Sequence, residues 1–134
     1  MWISLRDCDG QSHTMVGVFP AETVMRKTGL TLGYRTIENA RRCILGDVGV
    51  TVRGHEFHYS TLVARGPLHY ACALSDAEGR SKGQDGLMSG NVLALYTHLH
   101  FASQPTVAVS LVESAARTAS RADSMARRRR GGNC

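Results

Sequence analysis

The sequence has no run of about 18 consecutive apolar residues, so no stretch reads as a membrane-crossing helix. Met1-Trp2-Ile3-Ser4-Leu5-Arg6 lacks the basic region and long apolar region of a secretory signal, which makes a cytoplasmic location the expectation. No CxxC pair occurs. Cys8, Cys43, Cys72 and Cys134 are widely spaced, which argues against a structural zinc knuckle and, without secretion, against a disulfide framework. Cys43 and Cys72 lie in apolar, strand-like contexts and read as small buried hydrophobes. Basic surface is scarce too. The formal charge is +5, but Arg127, Arg128, Arg129 and Arg130 supply most of it and the remainder is nearly neutral. A terminal basic block reads as a solvated tail. Nucleic-acid binding would want a basic face interleaved with aromatics, and none is present. No internal repeat is found.

What is present fits one folded domain. The chain has 134 residues, 43% of them hydrophobic, enough to bury a core. The organising stretch is Leu95-Tyr96-Thr97-His98-Leu99-His100-Phe101-Ala102-Ser103-Gln104-Pro105, with two histidines at the end of an apolar run. Strand side chains alternate faces, so Tyr96, His98 and His100 are expected on one side and Leu99 and Phe101 on the other, toward a core. A histidine ending a strand beside a loop suits proton transfer. The same position also suits a histidine that is merely hydrogen-bonded.

Along the chain, Trp2, Ile3 and Leu5 look like the back half of a packed helix, followed by a turn at Asp7-Cys8-Asp9-Gly10. Met15–Phe19 reads as a short strand stopped by Pro20, and 21–27 as a helical turn or loop. The alternation of Leu30, Leu32 and Tyr34 predicts a strand, and Val50–Ser60 a long one, the two forming a hairpin. His69–Leu74 is another strand, Ser75–Gly90 a poorly ordered excursion, and Asn91–Tyr96 a strand covered on both faces. Ser103 is a fair helix cap with Pro105 in the first turn. Val107, Leu111, Val112 and Ala115 supply the buried stripe, and fraying is expected beyond about Ala119.

On the Val50–Ser60 strand, Gly54, Glu56, His58 and Ser60 share one face, and His55, Phe57 and Tyr59 the other. The Glu56/His58 pair can bind a polar ligand through charge-assisted hydrogen bonds, or simply cap a sheet edge. His-Glu-Phe-His is not the His-Glu-x-x-His zinc motif, because its histidines are three apart on a strand. A zinc site from His58, His98 and His100 is conceivable but has no carboxylate or cysteine at a ligand spacing. No metal ligand is therefore assigned. Cys8, between Asp7 and Asp9, is a poor candidate for a thiolate nucleophile.

Four motifs in order carry a resemblance: Met15-Val16-Gly17-Val18-Phe19-Pro20, Leu32-Gly33-Tyr34-Arg35, Arg53-Gly54-His55-Glu56-Phe57-His58-Tyr59-Ser60 and Tyr96-Thr97-His98-Leu99-His100-Phe101-Ala102-Ser103. Over residues 1 to about 114 the chain resembles the C-terminal glutamine amidotransferase domain of cobyrinate (or hydrogenobyrinate) a,c-diamide synthase. Residues 115–134 are left as a helix end and a basic, disordered tail. The resemblance implies an α/β fold, part of a class I glutamine amidotransferase-like (flavodoxin-like) sandwich, strand-rich with a C-terminal helix. It implies that His98 activates a cysteine which attacks the glutamine carboxamide, in a Cys–His dyad because His100 stands where many relatives in the wider class have a glutamate. Glu56, His58 and His100 become candidate substrate-binding residues. Glutamine and a corrinoid are the implied substrates, and an ATP-dependent synthetase domain the implied partner. There ATP activates the corrin a and c carboxylates for amidation. No cofactor is expected in this chain, because ATP and Mg²⁺ belong to that domain, and no GxxxxGK[ST] loop is found here.

The family's elbow, a Cys followed by glycines, should lie a few residues before Met1-Trp2-Ile3. The chain is thus expected to be a C-terminal portion, poorly soluble and inactive on glutamine by itself. A non-catalytic corrinoid-binding or synthetase-docking module is the rival, and an amidotransferase acting on another tetrapyrrole a third possibility.

Overall fold

The computed structural model of the chain describes residues 2–130. Ten strands form two sheets. β1 (Trp2–Arg6), β2 (Ser12–Thr14), β3 (Phe19–Met25) and β6 (Ser60–Ala64) make a four-stranded sheet in the order β2-β1-β3-β6. β4 (Thr31–Asn39), β5 (Thr51–His58), β7 (Tyr70–Ser75), β8 (Ser81–Ser89), β9 (Val92–Ala94) and β10 (His98–Leu99) make a six-stranded sheet in the order β10-β5-β4-β7-β8-β9. A single 3-10 turn, Phe101–Ser103, leads into α1 (Pro105–Arg130). The chain is thus mixed α/β, rich in strands, with one C-terminal helix. Among the described strands β1 and β3 pair in parallel and the other pairings are antiparallel.

The six-stranded sheet buries one face. Ile37, Val52, Cys72 and Leu74 from β4, β5 and β7 meet Leu45 from the β4–β5 connection and Val107 from α1. A second cluster, Phe19 against Leu87 and Ala94, joins the two sheets and is flanked by Trp2, Leu62 and Tyr70. The β4–β5 hairpin forms as its alternation predicts, with Leu32 opposite Phe57 and Ile37 opposite Val52.

Several local expectations are corrected. Trp2–Arg6 is a strand, not the end of a helix. Five residues are too few to hold a helix, and β2 and β3 supply ladder partners on both sides. Pro20 lies inside β3 rather than ending a strand, at a register shift against β1 that tolerates its missing N–H. Residues 21–25 continue that strand, whereas 15–18 belong to no strand. The long Val50–Ser60 strand breaks at Tyr59. Beyond the break the chain crosses to the other sheet, where β6 pairs with β3. Cys43-Ile44-Leu45 is a tight turn closed between Cys43 and Gly46.

The supposed excursion Ser75–Gly90 contains the nine-residue β8, whose Asp85, Gly86 and Leu87 are buried. Positive φ at Gly83 and Gly86 gives it a bent course that hides its alternation. The apolar run 91–96 gives only the three-residue β9. Ser103 does not cap the helix: its hydroxyl donates to the His100 carbonyl and accepts the Arg53 N–H. In α1, Val107 is buried and Leu111 half-buried, while Val112 and Ala115 face solvent. The helix backbone continues past Ala119 to Arg130. Residues 131–134 of the basic tail lie outside the described residues. No helix among the described residues is long and apolar enough to cross a membrane.

Candidate functional site

The site is built on β5, whose two faces serve different ends. Its burial alternates residue by residue from Thr51, so Val52, Gly54 and Glu56 face inward while Arg53, His55 and Phe57 face out. β10 is the edge strand beside it, with His98 opposite His55 and Leu99 opposite Gly54. Leu99 packs inward on the core and the two histidines around it stay exposed. On the outer face His98 Nδ1 lies 3.3 Å from His55 Nε2, with the rings nearly perpendicular at 83°. His100 follows on the same side, its backbone N–H donating to the Arg53 carbonyl at 2.8 Å. Phe101, expected in the core, is 41% exposed, because the 3-10 turn begins there and rotates it away.

An open cavity of about 790 Å³ adjoins His55, lined by Tyr34, Arg35, Arg53, His55, His100 and Ser103 among others, with His98 outside its lining. Among the described residues no aspartate or glutamate lines it. Arg35 is largely neutralised from behind by Glu56. Arg53 gives the cavity a positive charge suited to a carboxylate or a polarised carbonyl.

Glu56 and His58 sit on the opposite, inner face, so they do not converge with His98 and His100. Arg35 Nε donates to Glu56 Oε2 at 2.6 Å, with both side chains about nine-tenths buried. His58 Nε2 lies 3.4 Å from Glu56 Oε1, and His58 Nδ1 lies 3.0 Å from the Ser60 carbonyl. The His58 ring stacks on Tyr96 at 4.2 Å, and the Tyr96 hydroxyl meets Ser60 Oγ at 3.0 Å. Tyr96 also stacks on Trp2 and so bridges the two sheets. Tyr96 was expected to share a face with His98. A bend at Tyr96–Thr97 separates them.

That bend has a cause the sequence did not reveal. The buried Asp85 carboxylate accepts the backbone N–H groups of Gly86, Tyr96 and Thr97 and the Thr97 hydroxyl, at 2.7 to 3.2 Å. It fixes the chain two residues before His98. Asp85 lies in the segment read as an excursion, so no alternation marked it. His55 and Arg35 were missed differently: both stand in the quoted motifs, but only strand register shows what they touch.

Gly54 lets β10 come close. A Cβ there would fall on the His98 carbonyl oxygen and 2.8 Å from Thr97 Cγ2.

The cysteines lie elsewhere. Cys8 is exposed near the β1–β2 turn, and Cys43 and Cys72 both reach Asn39 Oδ1, at 3.6 and 3.5 Å. The two neighbouring thiols shift each other, Cys43 held below the usual thiol value and Cys72 pushed above it, with burial adding to the rise of Cys72. Among the described residues no group of three or more His, Cys, Asp or Glu is arranged to hold a metal ion.

The arrangement defines a class: a mixed α/β domain, rich in strands, that carries an exposed histidine pair at a sheet edge next to an open cavity. Comparison with known proteins narrows it. The CobB/CobQ-like glutamine amidotransferase domain pattern matches residues 3–106. The chain is 39% identical over 109 residues to cobyrinate a,c-diamide synthase of Thermoplasma acidophilum, covering 81% of this chain and 24% of that protein. It is 34% identical over 103 residues to the Salmonella typhimurium cobyrinate a,c-diamide synthase, 76% of this chain and 22% of that one. Against the hydrogenobyrinate a,c-diamide synthase of Mesorhizobium japonicum it is 35% identical over 95 residues, covering 71% and 22%. The chain belongs to the CobB/CobQ-like glutamine amidotransferase family. It spans at most about a quarter of the length of these curated relatives.

Proposed function

We propose that the chain supplies the proton-accepting histidine of a glutamine amidotransferase serving a cobyrinate or hydrogenobyrinate a,c-diamide synthase, within a class I, flavodoxin-like sandwich. The carrying observation is His98, exposed at a strand end inside the matched region and paired across the strands with His55, which lines the cavity. In this reading His98 takes the proton of a cysteine thiol, and the sulfur attacks the glutamine carboxamide carbon. The C–N bond breaks and ammonia departs with the proton returned by His98. Water then cleaves the thioester to release glutamate. His100, on the cavity side, binds substrate.

The thiol comes from another segment. Cys43 and Cys72 are tied to Asn39 within the fold, and Cys8 lies beside Asp7 and Asp9. The chain is accordingly proposed to be inactive on glutamine without that segment. Ammonia passes to an ATP-dependent synthetase portion, in the cytoplasm, where ATP and Mg²⁺ support amidation of corrin carboxylates. Glu56 and His58 were expected as substrate ligands, but Arg35 and Ser60 already engage their polar atoms, so a ligand would have to displace these. That weighs against the rival corrinoid-binding module, which would need this face free.

The experiment joins the chain to the upstream portion of a relative and follows ammonia release from glutamine. His98→Ala should lower the rate by about 10²-fold or more. Unchanged release would overturn the proposal.

A further inference from the structure

The geometry points to His55 as the positioning residue for His98, an imidazole in the place where an acid commonly orients a catalytic histidine. The inference rests on the reading of His98 as a proton acceptor and adds how that side chain is held. Three observations carry it. The β5–β10 register makes His55 and His98 direct cross-strand partners. Their ring nitrogens Nε2 and Nδ1 stand 3.3 Å apart, with the rings edge to face. Among the described residues no carboxylate lies within hydrogen-bonding distance of the His98 ring.

One proton lies between the two nitrogens when both rings are neutral, so the pair has two arrangements. If His98 Nδ1 carries it and donates to His55 Nε2, then His98 Nε2 presents a lone pair to the thiol and can accept its proton. If His55 Nε2 carries it, His98 Nδ1 accepts and its proton sits on Nε2, which leaves no acceptor for the thiol. Only the first arrangement does the chemistry. It requires His55 to hold its own proton on Nδ1, toward solvent, where water satisfies it. Once His98 takes up the thiol proton, its charge is shared along the Nδ1–H bond to His55, with no second charge at the site beforehand. Both rings are exposed and His55 contributes nothing to the core, so its replacement leaves the fold intact.

The test is the tautomer of His98, read from imidazole nitrogen shifts of the ¹⁵N-labelled chain at alkaline pH, where histidines are neutral. The expected result is His98 predominantly as the Nδ1–H form. His55→Phe, which keeps a flat ring but removes the acceptor, should move the ratio toward Nε2–H by about fivefold, the equivalent of one lost hydrogen bond. His55→Gln, whose carboxamide oxygen can accept, should restore it. An Nε2–H form in the unaltered chain, or a ratio indifferent to His55→Phe, overturns the assignment. The readout needs neither glutamine nor a thiol. A null result here therefore refutes the pairing alone, whereas undiminished ammonia release by His98→Ala in the joined protein refutes the functional reading and, with it, the positioning role, even where the tautomer result stands.

Discussion

Gly54→Ala is the most informative single perturbation of this molecule. The added methyl would fall on the His98 carbonyl oxygen, with Thr97 Cγ2 at 2.8 Å and the His98 carbonyl carbon at 3.0 Å. Two of these three neighbours are backbone atoms, so no flexible side-chain tip can yield. β10 itself has to withdraw. Overpacking of this kind costs about 1–3 kcal/mol, and each ladder hydrogen bond lost adds about 1 kcal/mol. A total of about 2–4 kcal/mol is expected, a large share of the roughly 5–15 kcal/mol that holds such a domain together. Urea unfolding should show a lowered midpoint at unchanged slope. Amide exchange should quicken at His100, whose N–H bonds the Arg53 carbonyl. Gly49→Ala is the control, because its φ of +83° makes the cost purely conformational and nothing lies within 4 Å of its Cβ. It should cost about 1–2 kcal/mol and leave β10 protected. A Gly54→Ala chain within about 0.5 kcal/mol of the parent, with His100 still protected, would refute the close-approach argument.

Two further outcomes follow from buried carboxylates. Asp85→Asn leaves four donors facing a side chain that cannot accept them all. It should cost about 2–3 kcal/mol in urea unfolding and expose the Tyr96 and Thr97 amides to exchange, while unchanged protection there would show that the bend holds itself. Stability should also fall with acid. Burial resists the Asp76 charge, but hydrogen bonds from the Arg80 side chain and backbone, the Arg80 charge and Lys82 outweigh it and hold the carboxyl below its ordinary value. Glu22 is lowered chiefly by the Arg65 hydrogen bond, which with Arg6 outweighs its burial. A depressed carboxyl stabilises above its unfolded value and loses that contribution as pH falls through the folded one. Unfolding midpoints should thus stay level from pH 7 to about 5 and decline below about 4.5. Asp76→Asn should lower the neutral midpoint and flatten the acid decline, and an unchanged decline would exclude Asp76 as a contributor.

Much of the outer site was legible because a strand's period of two needs no tertiary information. The alternation through Arg53-Gly54-His55-Glu56-Phe57-His58 assigned each residue to its observed face, and His98 and His100 were placed together for the same reason. The hairpin of β4 and β5 was legible for a like cause, two alternating runs separated by turn residues. Illegible were the places where a distant group overrode the local pattern. Asp85 bends the chain at Tyr96, so the ring two residues before His98 turns to the opposite face. Glu56 and His58 share a face as read, but what covers that face is Arg35, Ser60 and Tyr96, from three other segments.

By itself, then, the sequence determined the family, the histidines at the strand end and the division of β5 into two faces, since each depends on neighbours in the chain. Only the folded structure decided that His98 is partnered by His55 rather than by Glu56 or His58. Partnership across a sheet depends on register and on how closely two backbones approach, and neither is encoded within a single strand.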